Sequence, residues 1–137
     1  MIDMKILIVD DSLMDRKLNN KALKGMGIEY EALEAADGEE ALQLLERHFK
    51  EIGLILLDWQ MPKMDGLAFM KAVAQVPTFS SIPTIMITAL TSPDNKKMAY
   101  EVNPHLAGYI LKPYKPADLI GLVKSYWKES LNGDRHG

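Results

Sequence analysis

The chain alternates between short apolar runs and longer segments in which apolar residues recur every three or four positions. Short unbroken apolar runs are typical of strands that are buried on both faces of a parallel sheet. A further run alternates apolar residues with acids, which predicts a less buried strand at an edge of the sheet. The buried strands are predicted at 5–9, 54–57, 84–87 and 108–111, and the edge strand at 28–35.

The segments between the strands carry the start and stop signals of helices. In Ser92-Pro93-Asp94, a cap, a proline in the first turn and an acid follow one another, which strongly favours a helix start. Helices are also expected to begin at Ser12, Asp37, Asp65 and Pro116. Their ends are predicted near 25–27, 75–77 and Val102, and the first helix is expected to bury Leu18, Ala22 and Met26.

Five strands that alternate with five helices predict an α/β protein of the (βα)5 type. Because crossovers between parallel strands are almost always right-handed, the helices should cover both faces of the sheet in a three-layer sandwich. A chain of 137 residues corresponds to one domain, expected at 1–130 and followed by a disordered tail at 131–137. With 47% hydrophobic residues, the chain is able to build a sizeable core.

The composition excludes several functional classes. The net charge of −3 and the lack of a basic stripe argue against direct binding of nucleic acid. The sequence contains no cysteine, which excludes disulfides, thiol nucleophiles and zinc–thiolate sites and fits a reducing compartment. No apolar stretch reaches roughly 18 residues and no secretory signal is evident, so a cytoplasmic protein without membrane association is expected.

Four of the apolar runs end at residues that are able to handle a phosphoryl group. Asp10-Asp11 follow the first strand, Asp58 the third, Thr88 the fourth and Lys112 the fifth. Because sites in parallel sheets form just beyond the carboxyl ends of the strands, these side chains are expected to meet at one edge. Each has an ordinary explanation by itself, as a helix cap, a strand-end threonine or a solvated lysine. Four coincidences at the same ends of four strands favour a divalent-metal and phosphate site.

The expected chemistry of this site follows from its charges. Asp10, Asp11 and Asp58 would repel one another and raise one another's pKa values unless a cation joined them. Oxygen ligands without a nearby His or Cys point to Mg²⁺ or Mn²⁺. One carboxylate would remain free to attack a phosphoryl donor and form an acyl phosphate. Lys112 would neutralise phosphoryl oxygens, and the Thr88 hydroxyl would donate a hydrogen bond to one of them.

With these motifs in place, the chain resembles the receiver domain of two-component response regulators from Lys5 to Lys128. The resemblance implies a flavodoxin-like sheet of strand order 2-1-3-4-5, an order that the hydrophobic pattern does not provide by itself. The segments that carry the resemblance are Asp10-Asp11, Asp58 with Met61-Pro62-Lys63-Met64-Asp65-Gly66, Thr88-Ala89 and Lys112-Pro113.

The resemblance also implies a role for each acidic residue of the site. Asp58 would be the phosphoacceptor, and Asp11 would bind the metal ion directly. Asp10 would hold the waters of the metal ion, and the backbone carbonyl of Gln60 would complete its shell. The metal site implied by the resemblance therefore consists of Asp10, Asp11, Asp58 and Gln60.

The resemblance further implies a switch. Thr88 and Lys112 would contact the phosphoryl group, the Lys112–Pro113 peptide bond would be cis, and Tyr109 would be the switch aromatic. Phosphorylation adds about two negative charges at neutral pH. Thr88 would move toward the phosphoryl group, and Tyr109 would turn into the space that Thr88 leaves. The surface of the fourth helix, fifth strand and fifth helix would then change shape for a partner protein, as a population shift between two states.

The implied function is that of a stand-alone signalling switch. The domain would accept a phosphoryl group from a phosphohistidine of a sensor histidine kinase or a histidine phosphotransfer protein. It would catalyse only its own phosphorylation and dephosphorylation, so it is not expected to be an enzyme for other substrates. The run at 58–67 is most similar to chemotaxis-type receivers, although a phosphorelay intermediate would use the same site.

Two functions from other classes are alternatives. Metal-dependent phosphohydrolases of the haloacid dehalogenase type also place a nucleophilic Asp after an apolar strand, with a second Asp two positions later as general acid. Gln60 occupies that second position here and cannot protonate a leaving group. A flavin-binding protein of similar topology would need a Ser/Thr- or Gly-rich phosphate loop after the first strand, where Asp10-Asp11 stand instead.

Two departures from the family pattern bear on function. The segment between Thr88 and Lys112 is longer than in chemotaxis-type receivers and contains 103–105, Asn-Pro-His, next to the expected output surface. Gln60 and Leu90 flank the expected path of the water that would hydrolyse the acyl phosphate. Because Leu90 cannot orient a water molecule, slow hydrolysis is expected.

Overall fold

The computed structural model of the chain describes residues 4–27 and 29–136, with side chains described as far as Tyr126. Five strands form one sheet in the order β2-β1-β3-β4-β5, and all neighbouring strands are parallel. This order confirms the predicted α/β sandwich and the edge position of the second strand. The strands are β1 (Lys5–Val9), β2 (Glu31–Ala35), β3 (Ile52–Leu57), β4 (Thr84–Thr88) and β5 (Gly108–Leu111).

Helices flank the sheet, and the described part of the chain contains one more than predicted. The additional helix is a single turn at Pro77–Ser80. Pro77 is interpreted from the sequence as a helix stop, but a proline in the first turn can also open a helix, as it does here. None of the described helices is both long and apolar enough to span a membrane. The helices are α1 (Leu13–Lys24), α2 (Gly38–His48), α3 (Gly66–Ala74), α4 (Pro77–Ser80), α5 (Pro93–Val102) and α6 (Pro116–His136).

The predicted helix starts are confirmed by the capping contacts. At four helices, the side chain of the N-cap residue accepts a hydrogen bond from a backbone N–H of the first turn, which satisfies a donor that the helix itself leaves free. The caps fix the points at which the loops of the sheet edge end. The pairs are Ser12 with Asp15 (3.2 Å), Asp37 with Glu40 (2.9 Å), Asp65 with Ala68 (2.9 Å) and Ser92 with Asp94 (3.2 Å).

The hydrophobic core consists of two layers, one on each face of the sheet. Successive side chains of a central strand pack in opposite layers. Leu7 packs in the same layer as Phe69, whereas Ile6 packs in the same layer as Leu23. All four side chains are fully buried, and burial of each contributes about 1.5–3 kcal/mol to stability. This burial on both faces explains why the central strands are unbroken apolar runs.

Three strand boundaries differ from the prediction. β2 begins at Glu31, because its neighbour in the sheet is β1, whose first paired residue, Lys5, lies opposite Glu31. Its predicted start at 28 lies outside the described residues, and residues 29 and 30 are not in a strand. β3 begins at Ile52 rather than at 54, because Ile52 also pairs with Lys5. Thr88 is the last residue of β4 rather than the residue after it.

The first and last helices also differ from the prediction. The α1 segment buries Ala22 and Met26 but leaves Leu18 53% exposed, so apolar spacing alone overestimates the buried face. α6 continues to His136 and thus includes most of the 131–137 segment for which a disordered tail is predicted. A helix elongates easily once its first turns are anchored, which allows α6 to continue beyond Tyr126. Gly137 lies outside the described residues.

Candidate functional site

Three carboxylates meet beyond the ends of β1 and β3. The parallel register pairs Val9 with Leu57, so the residues that follow, Asp10 and Asp58, lie side by side. One carboxylate oxygen from each of Asp10, Asp11 and Asp58 lies within 4.8 Å of the other two. Asp10 and Asp58 are buried, whereas Asp11 is exposed. The structure therefore brings together the three carboxylates that the sequence indicates.

Backbone N–H groups hold one oxygen of each buried carboxylate. Oδ1 of Asp10 accepts a hydrogen bond from the N–H of Ser12 at 2.9 Å, and Oδ1 of Asp58 accepts one from the N–H of Trp59 at 2.8 Å. The second oxygen of each carboxylate, Oδ2, faces Lys112. Trp59 is itself buried in the core, which fixes the backbone that orients Asp58.

Lys112 follows β5 and reaches across the sheet edge to these carboxylates. Its Nζ lies 2.7 Å from Asp10 Oδ2, 2.9 Å from Asp15 Oδ2 and 3.4 Å from Asp58 Oδ2. The peptide bond between Lys112 and Pro113 is cis, as the family resemblance implies. Lys112 therefore stands where the sequence places it, beside both buried carboxylates.

Asp15 is a residue of this site that the sequence reasoning misses. It is the third residue of α1, where acids are common because the helix N-terminus carries a partial positive charge. The favourable interaction with the helix N-terminus is therefore enough to explain an acid at this position. One signal in the sequence could have assigned Asp15 to the site. Asp15 lies one helical turn after the loop that begins with Asp10-Asp11, and this spacing turns the Asp15 side chain back toward that loop.

Burial and charge shift the ionisation of the site in opposite directions. Burial raises the pKa of the Asp58 carboxyl from 3.8 to about 6, the charge of Asp10 adds to this rise, and Lys112 opposes it. Burial lowers the pKa of the Lys112 ammonium, but its hydrogen bonds to Asp10 and Asp15 outweigh this effect, so that the net pKa is raised. Lys112 thus stays charged among several carboxylates.

Ionisation of Asp58 is expected to destabilise the metal-free protein. The pKa is 3.8 in an ordinary carboxyl and about 6 in the folded state, so folding favours the protonated form. This contribution to stability is fully present below about pH 4 and is lost as the pH rises to about 6. Asp58→Asn should therefore raise the free energy of unfolding by about 1–2 kcal/mol above pH 6, after allowance for solvent screening, and by about zero near pH 4.

Urea unfolding in EDTA across this pH range measures the difference. Asp94→Asn is the control, because Asp94 is an exposed acid in the first turn of α5 and does not belong to the carboxylate cluster. Added Mg²⁺ should reverse the order and stabilise the wild type more than Asp58→Asn. A stability difference that is the same at every pH would contradict the assigned ionisation.

Thr88 and Tyr109 are connected through the backbone of Leu90. Thr88 is fully buried, and its Oγ1 accepts a hydrogen bond from the N–H of Leu90 at 3.2 Å. The carbonyl of Leu90 accepts a hydrogen bond from the Tyr109 hydroxyl at 2.9 Å. Movement of the Thr88 side chain would change the loop that holds Tyr109, so the geometry offers a path from the sheet edge to β5.

Gln60 lies in the loop between β3 and α3, and its side chain is exposed. Both ends of the loop are held by backbone hydrogen bonds. The N–H of Gly66 donates to the carbonyl of Trp59 at 2.8 Å, and the N–H of Gly38 donates to the carbonyl of Met64 at 2.9 Å. The role of the Gln60 carbonyl as a metal ligand stays a prediction.

The donor set of the carboxylate cluster fits a hard divalent cation. Among the residues that the structure describes, this cluster contains carboxylates alone, from Asp10, Asp11 and Asp58. Mg²⁺ and Mn²⁺ prefer such oxygen ligands to the softer side chains of His and Cys. A cation here would also offset the repulsion between Asp10 and Asp58 that contributes to the raised pKa of Asp58.

Comparison with known proteins identifies the family of this chain. The family model described as the response regulator receiver domain matches residues 6–124. The chain belongs to this family. The resemblance indicated by the sequence motifs is thereby confirmed for a receiver domain of the two-component systems.

Curated relatives of this receiver domain include two proteins of Helicobacter pylori. The chain is 36% identical to the sensor histidine kinase CheAY over 133 residues, which are 97% of this chain and 16% of CheAY. It is 35% identical to the chemotaxis protein CheY1 over 113 residues, which are 82% of this chain and 88% of CheY1. The chain spans between 16% and 56% of the length of four of its curated relatives.

Solved structures of two CheY proteins share the fold. The chemotaxis protein CheY4 of Vibrio cholerae matches with a TM-score of 0.78 and 33% identity, over 90% of this chain and 98% of that one. The CheX–CheY–BeF3–Mg²⁺ complex of Borrelia burgdorferi contains a chain that matches with a TM-score of 0.79 and 30% identity, over 92% and 90% of the two chains.

Proposed function

We propose that this receiver domain is a phosphorylatable signalling switch of the cytoplasm in which Asp58 accepts the phosphoryl group. The observation that carries the proposal is the placement of the Asp58 carboxylate. It is buried just beyond β3, one oxygen is held by a backbone N–H, and the other lies 3.4 Å from Lys112 Nζ. Family membership supports the same residue, because Asp58 occupies the phosphoacceptor position of the receiver pattern.

The proposed metal site consists of Asp10, Asp11, Asp58 and the backbone carbonyl of Gln60. We expect Asp11 and Asp58 to be direct ligands of Mg²⁺ or Mn²⁺ and Asp10 to hold metal-bound waters. When bound, the cation would supply positive charge that neutralises phosphoryl oxygens. The Borrelia complex contains Mg²⁺ together with BeF3, which supports Mg²⁺ as the ion for this chain.

In the proposed reaction, a carboxylate oxygen of Asp58 bonds to the phosphorus of a phosphohistidine while the nitrogen–phosphorus bond of the donor breaks. The electron pair of that bond stays on the imidazole nitrogen, and this chain carries an acyl phosphate. Lys112 is close enough to donate a hydrogen bond to a phosphoryl oxygen, and the Thr88 hydroxyl would donate to another. The donor would be a sensor histidine kinase or a histidine phosphotransfer protein, and no catalysis on other substrates is proposed.

The proposed output surface comprises α5, β5 and the first turns of α6. Met98 on α5 and Leu111 on β5 are each 43% exposed, so the surface offers apolar side chains to a protein partner. A phosphoryl group on Asp58 would draw Thr88 away from Leu90 and thereby alter the loop that holds Tyr109. The Borrelia CheY is in complex with CheX, which supports a protein as the downstream partner.

Mass spectrometry tests the proposed function. Incubation with acetyl phosphate and Mg²⁺ is expected to add the mass of one phosphoryl group to the intact protein, and EDTA should prevent the addition. Borohydride reduction followed by peptide mapping should locate the modification at Asp58. A folded protein that gains no mass from acetyl phosphate or from a phosphorylated histidine phosphotransfer protein contradicts the proposal. Turnover of a generic phosphate ester would instead favour a phosphohydrolase.

Leu90 is expected to give the acyl phosphate a long lifetime. Its side chain is partly buried and packs against the core, so no polar group at this position orients a water for attack on phosphorus. Leu90→Glu should hydrolyse the acyl phosphate roughly tenfold faster, because a carboxylate at this position is able to hold and polarise that water. The decay of the phosphorylated mass measures the effect, with Leu90→Met as the apolar control. Equal or slower decay in Leu90→Glu contradicts this role.

A further inference from the structure

Asp15 adds a fourth carboxylate to the site, and the proposed reaction gives it no role. Its Oδ2 lies 2.9 Å from Lys112 Nζ, closer than the 3.4 Å between this Nζ and Asp58 Oδ2. The side chain of Asp15 is 34% exposed and that of Lys112 is 18% exposed. The contact is therefore partly shielded from solvent and joins the first turn of α1 to the residue that follows β5.

The first turn of α1 holds Asp15 in this place independently of Lys112. The N–H of Asp15 donates to the Oγ of Ser12 at 3.2 Å. The next residue, Arg16, donates to the carbonyl of Asp10 at 2.6 Å and to a glutamate of β2 at 2.9 Å. These contacts anchor the helix start to the sheet. The backbone that carries the Asp15 carboxylate is consequently fixed within reach of the ammonium, whichever other partners Lys112 has.

The Lys112 ammonium is able to donate only a few hydrogen bonds. A lysine ammonium carries three donors; Asp10 and Asp15 accept at 2.7 and 2.9 Å, and Asp58 lies at 3.4 Å. A phosphoryl group on Asp58 would need at least one of these donors. A divalent cation held by Asp10, Asp11 and Asp58 would offset two of their three negative charges, whereas Asp15 lies outside that cluster. Asp15 would therefore keep its contact with the ammonium.

We propose that Asp15 is a positioning residue that competes with the phosphoryl group on Asp58 for the ammonium of Lys112. The inference rests on the proposed function. The Asp15 carboxylate draws the ammonium toward α1, and its negative charge repels the phosphoryl oxygens. Asp15 thereby lowers the fraction of the protein that a given supply of phosphodonor keeps in the phosphorylated state.

The test measures binding of BeF3, a phosphoryl analogue, in the presence of Mg²⁺, so that binding is separated from chemistry. Trp59 fluorescence reports occupancy, because the backbone N–H of Trp59 contacts the Asp58 carboxylate. Asp15→Asn should lower the half-saturating BeF3 concentration about three- to fivefold, which is the range for a partly exposed ion pair. Phosphorylation by acetyl phosphate should accelerate by a similar factor. The difference should shrink at high salt, which screens exposed charges.

Glu39→Gln is the matched control. Glu39 is an exposed acid in the first turn of α2, as Asp15 is an acid in the first turn of α1. The substitution removes the same charge from a first helical turn, but away from the Lys112 contact and from the proposed output surface. Its half-saturating BeF3 concentration should equal that of the wild type. Removal of an acid from a first helical turn can by itself change stability, so thermal unfolding of both variants is measured as well. A change in stability is thereby separated from a gain in BeF3 binding.

Three results would overturn the role of Asp15. Equal BeF3 binding in the wild type and Asp15→Asn would show that no competition exists. Weaker binding in Asp15→Asn would show that Asp15 holds Lys112 ready for the phosphoryl group. Equal tightening in Glu39→Gln would trace the effect to net charge. A wild type that neither binds BeF3 nor gains phosphoryl mass contradicts the proposed function itself, and the role of Asp15 with it.

Discussion

The Asp58→Asn variant should gain no phosphoryl group under conditions in which the wild type is modified. The carboxylate of Asp58 is the proposed nucleophile, and an amide cannot replace it. The rate of phosphorylation should fall roughly 10⁴-fold or more, to below detection. Intact-mass measurement after incubation with acetyl phosphate and Mg²⁺ is the direct assay.

The fold of Asp58→Asn should remain intact, which makes the loss chemically interpretable. The amide oxygen of the variant is able to accept the hydrogen bond that Trp59 donates in the wild type at 2.8 Å. Lys112 keeps its contacts to Asp10 and Asp15. Asp94→Asn, an exposed change of the same kind, should be phosphorylated like the wild type. Full modification of Asp58→Asn would place the nucleophile at another residue and contradict the assignment of Asp58 as the phosphoacceptor.

The Gly66→Ala variant should lose about 3 kcal/mol of stability, with loss of the phosphoryl site. A Cβ on Gly66 would lie 2.3 Å from the carbonyl oxygen of Asp58 and 2.9 Å from the Cα of Trp59. Both neighbours are backbone atoms, so the clash cannot be relieved by a change of rotamer. Overpacking of this kind costs about 1–3 kcal/mol and sometimes more. The strain falls on the segment that orients the Asp58 carboxylate.

Urea unfolding and BeF3 binding measure the two effects of Gly66→Ala. Gly121→Ala is the control, because among the described residues a Cβ at Gly121 would meet no heavy atom within 4 Å beyond its chain neighbours and the backbone of its own helix. Gly121 lies inside α6, where replacement of glycine by alanine should stabilise the protein by about 0.5–1 kcal/mol. If Gly66→Ala unfolds at the same urea concentration as the wild type, the close approach of α3 to the Asp58 loop does not require a glycine at position 66.

Much of the candidate site could be predicted because the strands themselves position it. A parallel sheet places the carboxyl ends of its strands at one edge, and the polar residue that ends each apolar run marks that edge. Asp10, Asp58, Thr88 and Lys112 all end or follow strands, so finding the strands locates these residues. Asp11 joins them because it is the next residue along the chain.

Site residues that lie on helices are harder to predict from the sequence than those at strand ends. Asp15 lies on α1, where an acid near the N-terminus is common for reasons unrelated to any site. Its contact with Lys112 depends on how α1 packs against the sheet. The same packing decides that Leu18 is exposed, although its spacing favours a buried face. The spacing of side chains along a helix gives their relative directions but not the orientation of the helix on the sheet.

The sequence by itself determined the α/β class, the helix caps and the polar residues at the strand ends, because these depend on local patterns of side chains and backbone hydrogen bonds. The tertiary structure alone decided the distances from Lys112 to its three carboxylates and the raised pKa of Asp58. It also decided the link from Thr88 through Leu90 to Tyr109. Burial and electrostatic interactions of this kind depend on residues that are far apart in sequence and near one another only after the sheet has formed.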